Sequence, residues 1–265
     1  MGRQWAREGD ELGLGGLRTM LALRVGLSRL DAPEPDQLIV TAGVQAGLAA
    51  VARTWLGPER TCAVAPGYPP AGRAALEATG ARTLDLDLGD EGRRLGPPPE
   101  RVDLVVVAPA LAGPNGVPLA AIARRLLMDW AARVGAIIVE DDRERDLRAD
   151  RGPTLGAMDH DGRVIGLGSI PADLVPGAAL GYLVLPPGLH GPVAAMVLAG
   201  GQVPGLVEQE ALASMLESGD FERDLRRLRD ARRAASASAP SAPHGHGSRG
   251  ATWTASPGMR MRNRP

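Results

Sequence analysis

Apolar residues fall into two rhythms along this chain. Short, mostly apolar runs stand at Gln37–Thr41 (QLIVT), Thr61–Ala65 (TCAVA), Val102–Ala108 (VDLVVVA), Ala136–Val139 (AIIV, unbroken), Val164–Gly168 (VIGLG) and Ala179–Leu185 (ALGYLVL). The run Ala136–Val139 predicts a strand buried on both faces, as in a parallel sheet, Val102–Ala108 a buried strand, and the others strands. Arg82–Leu88 alternates instead, which predicts a half-exposed strand. Between the runs the apolar period lengthens to that of a helix. Leu12–Leu30 carries Leu17, Met20, Leu21, Leu23 and Leu27, and an Ala/Leu-rich stretch runs to about Trp55. Pro70–Thr79 is stopped by Gly80, and Leu119–Val134 sets Ile122, Leu126, Leu127 and Trp130 on one face. Leu206–Glu217 and Phe221–Arg233 are helical, broken at Gly219. Strands alternating with helices predict an α/β domain over residues 12–233, with a mainly parallel seven-stranded sheet and helices on both faces. Residues 1–11 are polar and expected to fray. From Ala234 to Pro265 the period vanishes into Ser, Pro, Gly and Arg, which predicts a disordered tail.

The run Ala136–Val139 ends in Glu140-Asp141-Asp142. Open α/β folds hold their ligands at the carboxyl ends of the strands, so an acid there can face a bound molecule. Equally, these acids can be solvated loop residues. Two other strand ends carry candidate chemistry. At Thr41-Ala42-Gly43-Val44-Gln45 a strand turns into a helix, where backbone N–H groups can converge on an anion. Tyr68 lies in a Pro-Gly-Tyr-Pro turn, where an aromatic ring can stack on a flat ligand or simply pack the loop.

Composition narrows the chemistry. A formal net charge of -1 gives no basic field for nucleic acid or an anionic membrane. No apolar run reaches membrane-spanning length, and the N-terminus has no signal-peptide core. Cys62 is the only cysteine; it predicts a small buried side chain and no disulfide framework, with the cytoplasm as the default compartment. His244 and His246 alone, in a polar tail, make no metal site. All 30 basic residues are arginine, so the protein has no ε-amino group at all.

The ordered series TAGVQ, APGYP, VEDD, a strand ending in GS, and PGAALGYLVLPP resembles the aminotransferase-like domain of the MocR-type regulators, within the fold-type I family of pyridoxal-phosphate proteins. IARRLLMDWAARVGAIIVEDD and LESGDFERDLRRLR extend the likeness, which covers about Leu14 to Arg233. The resemblance implies the fold-type I large domain. It implies that Gly43, Val44 and Gln45 cradle a phosphate, that Tyr68 stacks on a pyridine ring, that Asp141 pairs with the ring nitrogen, and that the Ser169 hydroxyl assists the phosphate.

The departures bear on catalysis. Gly168-Ser169-Ile170-Pro171-Ala172 stands where the family has roughly Gly-Thr-Phe-Ser-Lys, so Ala172 occupies the position of the cofactor-binding lysine. Pro176-Gly177-Ala178-Ala179 replaces Pro-Gly-Leu-Arg, removing a phosphate arginine. Ala110–Pro114 replaces the Ser-His-Gln-aromatic-Pro loop, Asn115 falls two places late for the ring-hydroxyl asparagine, and Arg143 replaces a tyrosine. No counterpart of the family's winged-helix DNA reader or of most of its C-terminal small domain is expected in these residues; a frameshift or early truncation near Ala234 would produce such a tail. Three readings follow. One is a pseudoenzyme or regulatory module that binds pyridoxal phosphate non-covalently, takes an amino-acid-like ligand, and forms a homodimer or pairs with a complete homologue. The second is an active aminotransferase, the third a product without function.

Overall fold

A single seven-stranded sheet organises the computed structural model, which describes residues 10–28, 32–88, 96, 101–110, 118–143, 145–147, 153–175 and 177–238. The strands are β1 (Leu38–Thr41), β2 (Thr61–Val64), β3 (Arg82–Asp85), β4 (Leu104–Val107), β5 (Ile137–Asp141), β6 (Val164–Ser169) and β7 (Gly181–Val184). Their order across the sheet is β1-β7-β6-β5-β4-β2-β3. All pairings are parallel except those of β7, which runs antiparallel to both β1 and β6. The mainly parallel seven-stranded sheet predicted from the apolar runs is therefore present.

The helices are α1 (Gly15–Ser28), α2 (Gly43–Trp55), α3 (Pro70–Glu77), α4 (Ala121–Val134), α5 (Pro187–Ala199), α6 (Leu206–Glu217) and α7 (Asp220–Ser238). Successive strand residues point to opposite faces. Ile39, Val64, Val106, Val139, Leu167 and Leu183 pack on one face with Leu48 and Val51 of α2, Leu76 of α3 and Val193 and Val197 of α5. Ala63, Val105, Val107 and Ile138 pack on the other with Leu127 and Trp130 of α4. Farther along that face, Leu38, Val40 and Tyr182 meet Leu17 and Leu21 of α1, Leu212 of α6, and Phe221 and Leu225 of α7. Both faces are thus covered, which is why the strands carry mostly apolar runs.

The chain leaves β2 through α3 on one face and β4 through α4 on the other. The order of strands reverses between β2 and β4, and α/β folds bind ligands beyond the carboxyl ends of the strands at such a point. Tyr68 follows β2 and Asp141 ends β5, beside β4.

Several expectations are corrected. The stretch after Pro186-Pro187 forms α5, which the prolines concealed: Pro187 takes the first helical position, where it fits well, and Pro192 is carried inside the helix. Ile122 and Leu126 are exposed on α4, as are Leu23 and Leu27 on α1. The inward stripe of α4 is Ala123, Arg124, Leu127, Trp130 and Ala131. Arg124 tolerates burial because it donates to the carbonyls of Leu119 (2.8 Å), Pro109 (3.4 Å) and Pro153. Pairing along β3 stops at Asp85. Asp10–Leu12 forms a 3₁₀ turn within the stretch expected to fray. Helix α7 runs to Ser238, five residues beyond the predicted end at Arg233, where Ala and Ser continue the helix without an apolar face. The rest of the tail, with His244 and His246, and the loop of residues 111–117 with Asn115, lie outside the described residues.

Candidate functional site

The three acids at the end of β5 are buried, not solvated: Glu140 is 1% exposed, Asp141 2% and Asp142 6%. Strand alternation separates them. Glu140 accepts the backbone N–H groups of Leu155 (2.8 Å) and Gly156 (3.1 Å), pinning the chain that leads into β6. Asp141 points to the opposite face, towards Tyr68. Asp142 lies 3.6 Å from Arg145.

Tyr68 donates its hydroxyl to Asp141 Oδ2 at 2.7 Å. The ring reaches this position because residue 72, one turn on in α3, is a glycine: a Cβ there would stand 2.4 Å from Tyr68 Cε1. Burial, reinforced by the Asp141 charge, pushes the phenol well above its ordinary pKa, so the hydroxyl remains a donor.

Arg143 completes the cluster. The chain turns back after β5, and the Arg143 backbone N–H donates to Asp141 Oδ1 at 3.2 Å. Its Nε donates to both carboxylate oxygens at 2.9 Å, and Nη2 donates to Oδ2. Nη2 also lies 3.3 Å from the Tyr68 hydroxyl, and the guanidinium sits over the Tyr68 ring at 5.8 Å. Burial alone would lower the Arg143 pKa; the hydrogen bonds and charge of Asp141 outweigh it and raise the value. The Arg143 carbonyl in turn accepts the Ser169 hydroxyl at 3.2 Å.

The other predicted residues gather along the same edge. Ser169 is paired across the sheet with Gly181, where a Cβ would stand 2.7 Å from the Gly43 carbonyl carbon. Gly43 opens α2 with φ of 84°, a value that favours glycine. Ala42, at the N-cap, makes no side-chain capping bond, and its own N–H is taken by Gln202 O at 2.8 Å. Val44 is buried in the core and has only its backbone to offer, while Gln45 is exposed. Ala179 lies beside Gly43, so a methyl group stands where the resemblance places a phosphate arginine. Ala172 is exposed, beyond the end of β6. Cys62 is buried as expected, and burial pushes its thiol up to about 12, outside useful reactivity. Among the described residues no group of three His, Cys, Asp or Glu side chains is placed to hold a metal ion, and no helix is long and apolar enough to cross a membrane.

The chain is 35% identical over 221 residues to the HTH-type pyridoxine biosynthesis transcriptional regulator PdxR of Corynebacterium glutamicum, covering 83% of this chain and 48% of that protein. It is 33% identical over 221 residues to the probable rhizopine catabolism regulatory protein MocR of Rhizobium meliloti, covering 80% and 44%. Its homologues are MocR-type regulators with aminotransferase-like domains. It spans about half the length of the curated relatives it matches. Among solved structures it superposes on the kynurenine aminotransferase of Pyrococcus horikoshii, solved in complex with PMP, with a TM-score of 0.74 and 23% identity over 86% of this chain and 59% of that one. This likeness fixes the fold as the large domain of fold-type I aminotransferases. No family model matches the chain.

Against that background the Asp141 cluster of this chain does not fit a pyridinium ring. Both carboxylate oxygens already accept internal donors, the Tyr68 hydroxyl is turned to the acid, and neither Ala172 nor Ala179 carries a cation. Arg143 is the site residue that sequence reasoning passed over, treating it only as a missing tyrosine. An acid followed two places later by arginine at a strand end was the available signal, since such an acid readily folds the following N–H back onto itself.

Proposed function

We propose that this chain is a catalytically silent aminotransferase-fold domain, a regulatory or assembly module rather than a transaminase. The absence of any lysine carries the reading. Transamination by this fold uses one side-chain amine both to hold the cofactor and to move a proton, and arginine, charged at all working pH values, replaces neither role. Ala172 at the corresponding position and Ala179 beside the α2 turn support the same conclusion. A domain of this kind acts through what it pairs with: a second copy, or a longer relative of the same fold, in the cytoplasm.

Purified protein incubated with pyridoxal phosphate, a panel of amino acids and a keto-acid acceptor is expected to show no turnover above protein-free controls. Borohydride treatment followed by intact-mass analysis is expected to leave every internal residue unmodified. Multiple turnovers, or a cofactor-sized adduct inside the chain, would sink the proposal.

A further inference from the structure

The disagreement between the Asp141 cluster and a pyridinium ligand has an identifiable source. We propose that Arg143 is a built-in counter-ion that occupies the place of a protonated ring nitrogen, and so closes the pocket to cofactors of the pyridoxal-phosphate type. The proposal rests on the reading that this domain does not transaminate, and it adds the reason why the pocket is shut.

Asp141 is almost fully buried and requires a cation. In this fold a ligand could supply one; here the chain does. Arg143 lies two residues away, so its guanidinium is present at a local concentration that no free ligand in solution matches. It binds through Nε, Nη2 and its backbone N–H together, engaging both oxygens. A ring nitrogen offers one N–H. The guanidinium also lies 5.8 Å from the centre of the Tyr68 ring, where a stacked ligand would have to compete with it, and the Tyr68 hydroxyl takes a further acceptor position on Oδ2. Ser169 holds the Arg143 carbonyl in place. A ligand would therefore have to expel the guanidinium, turn the tyrosine and leave Arg143 without its partner, in exchange for one hydrogen bond to the acid.

Removal of the guanidinium should open the pocket. Pyridoxamine 5′-phosphate is the probe, because it carries no aldehyde and its binding does not depend on any protein amine. It is titrated into the wild-type chain, Arg143→Ala and Arg143→Gln, followed by its fluorescence and by equilibrium dialysis. Arg143→Gln keeps a side-chain amide to donate to Asp141, so it carries the test if Arg143→Ala does not fold. The variants are expected to bind tighter than wild type, on the order of tenfold to a hundredfold. Adding Asp141→Asn to Arg143→Gln should abolish the gain. Equal or tighter binding by wild type, or a gain that survives Asp141→Asn, overturns the proposal while leaving the silent-domain reading intact. Turnover by the wild-type chain sinks that reading whichever affinities are found.

Discussion

Gly72→Ala is expected to destabilise the protein, although it replaces a helical glycine by the best helix former. In an open position the change would gain roughly 0.5–1 kcal/mol. At residue 72 the new Cβ would lie 2.4 Å from Tyr68 Cε1, 3.2 Å from Cδ1 and 3.3 Å from Cζ. The ring has little room to yield, because it packs among core residues that include Leu76 and its hydroxyl is held at 2.7 Å by Asp141. If the ring stays, overpacking costs about 1–3 kcal/mol. If it swings away, a hydrogen bond to a charged group is lost, at about 1.5–3 kcal/mol. Either cost exceeds the helical gain, so the expected net loss is about 1–2 kcal/mol, equivalent to a fall in Tm of roughly 2–8 °C for a domain of this size. The decisive control is the same substitution in a Tyr68→Ala background. There the clash is gone, the helical gain stands alone, and Gly72→Ala should stabilise. Urea and thermal unfolding of the four proteins measures both differences. Equal signs in the two backgrounds would refute the claim that this glycine exists to seat the tyrosine.

Arg24→Met should cost about 3 kcal/mol, seen as a lower urea midpoint, because it strips the buried Asp146 carboxylate of a cation at 2.9 Å and removes a guanidinium stacked 4.5 Å over Phe221; a loss under about 0.5 kcal/mol would contradict this, being the ordinary range for surface changes. The Asp103 carboxylate sits below its ordinary pKa, because the Thr61 N–H and the Arg60 guanidinium outweigh the effect of burial. Its contribution is therefore complete above the unfolded-state value of about 4 and is lost as pH falls through the lowered folded value. Wild type should accordingly hold a margin over Asp103→Asn at neutral pH that shrinks in acid, measured by urea midpoints across that range. Ala172→Lys should not create a transaminase, since Pro171 precedes it and Ala179 still leaves the α2 turn without a cationic neighbour; steady product formation from an amino acid and a keto acid would show otherwise.

The parallel strands were legible because a strand covered on both faces has no polar position to interrupt it, as in Leu104–Val107 and Ile138–Val139. Helical faces were read less well. In α1 and α4 the inward positions include Arg24 and Arg124, whose partners lie at Asp146 and at the carbonyls of Leu119 and Pro109. Periodicity counts such residues as outward, because it cannot see a distant acceptor. The same blindness gave Leu23, Leu27, Ile122 and Leu126 to the core. At the site, Tyr68 and Asp141 could be named because one lies in the turn after a strand and the other ends a strand, where α/β folds place ligands. That they bond each other directly, and that Arg143 folds back on Asp141, depends on side-chain geometry after the turn rather than on residue type or spacing.

The antiparallel strand has a consequence for how the molecule is made. β1 leaves the ribosome before the other six strands of the sheet, yet its neighbour is β7, with Leu38 facing Val184. At translation rates of about 5–20 residues per second, that partner arrives on the order of ten seconds later. In the interval β1 is without the strand it pairs with, so its backbone groups have no ladder to enter. β7 then enters between β1 and β6 and closes two ladders at once. A nascent chain interrupted before Gly181 would leave both β1 and the β6 edge unpaired, and unpaired edges are open to capture by another copy.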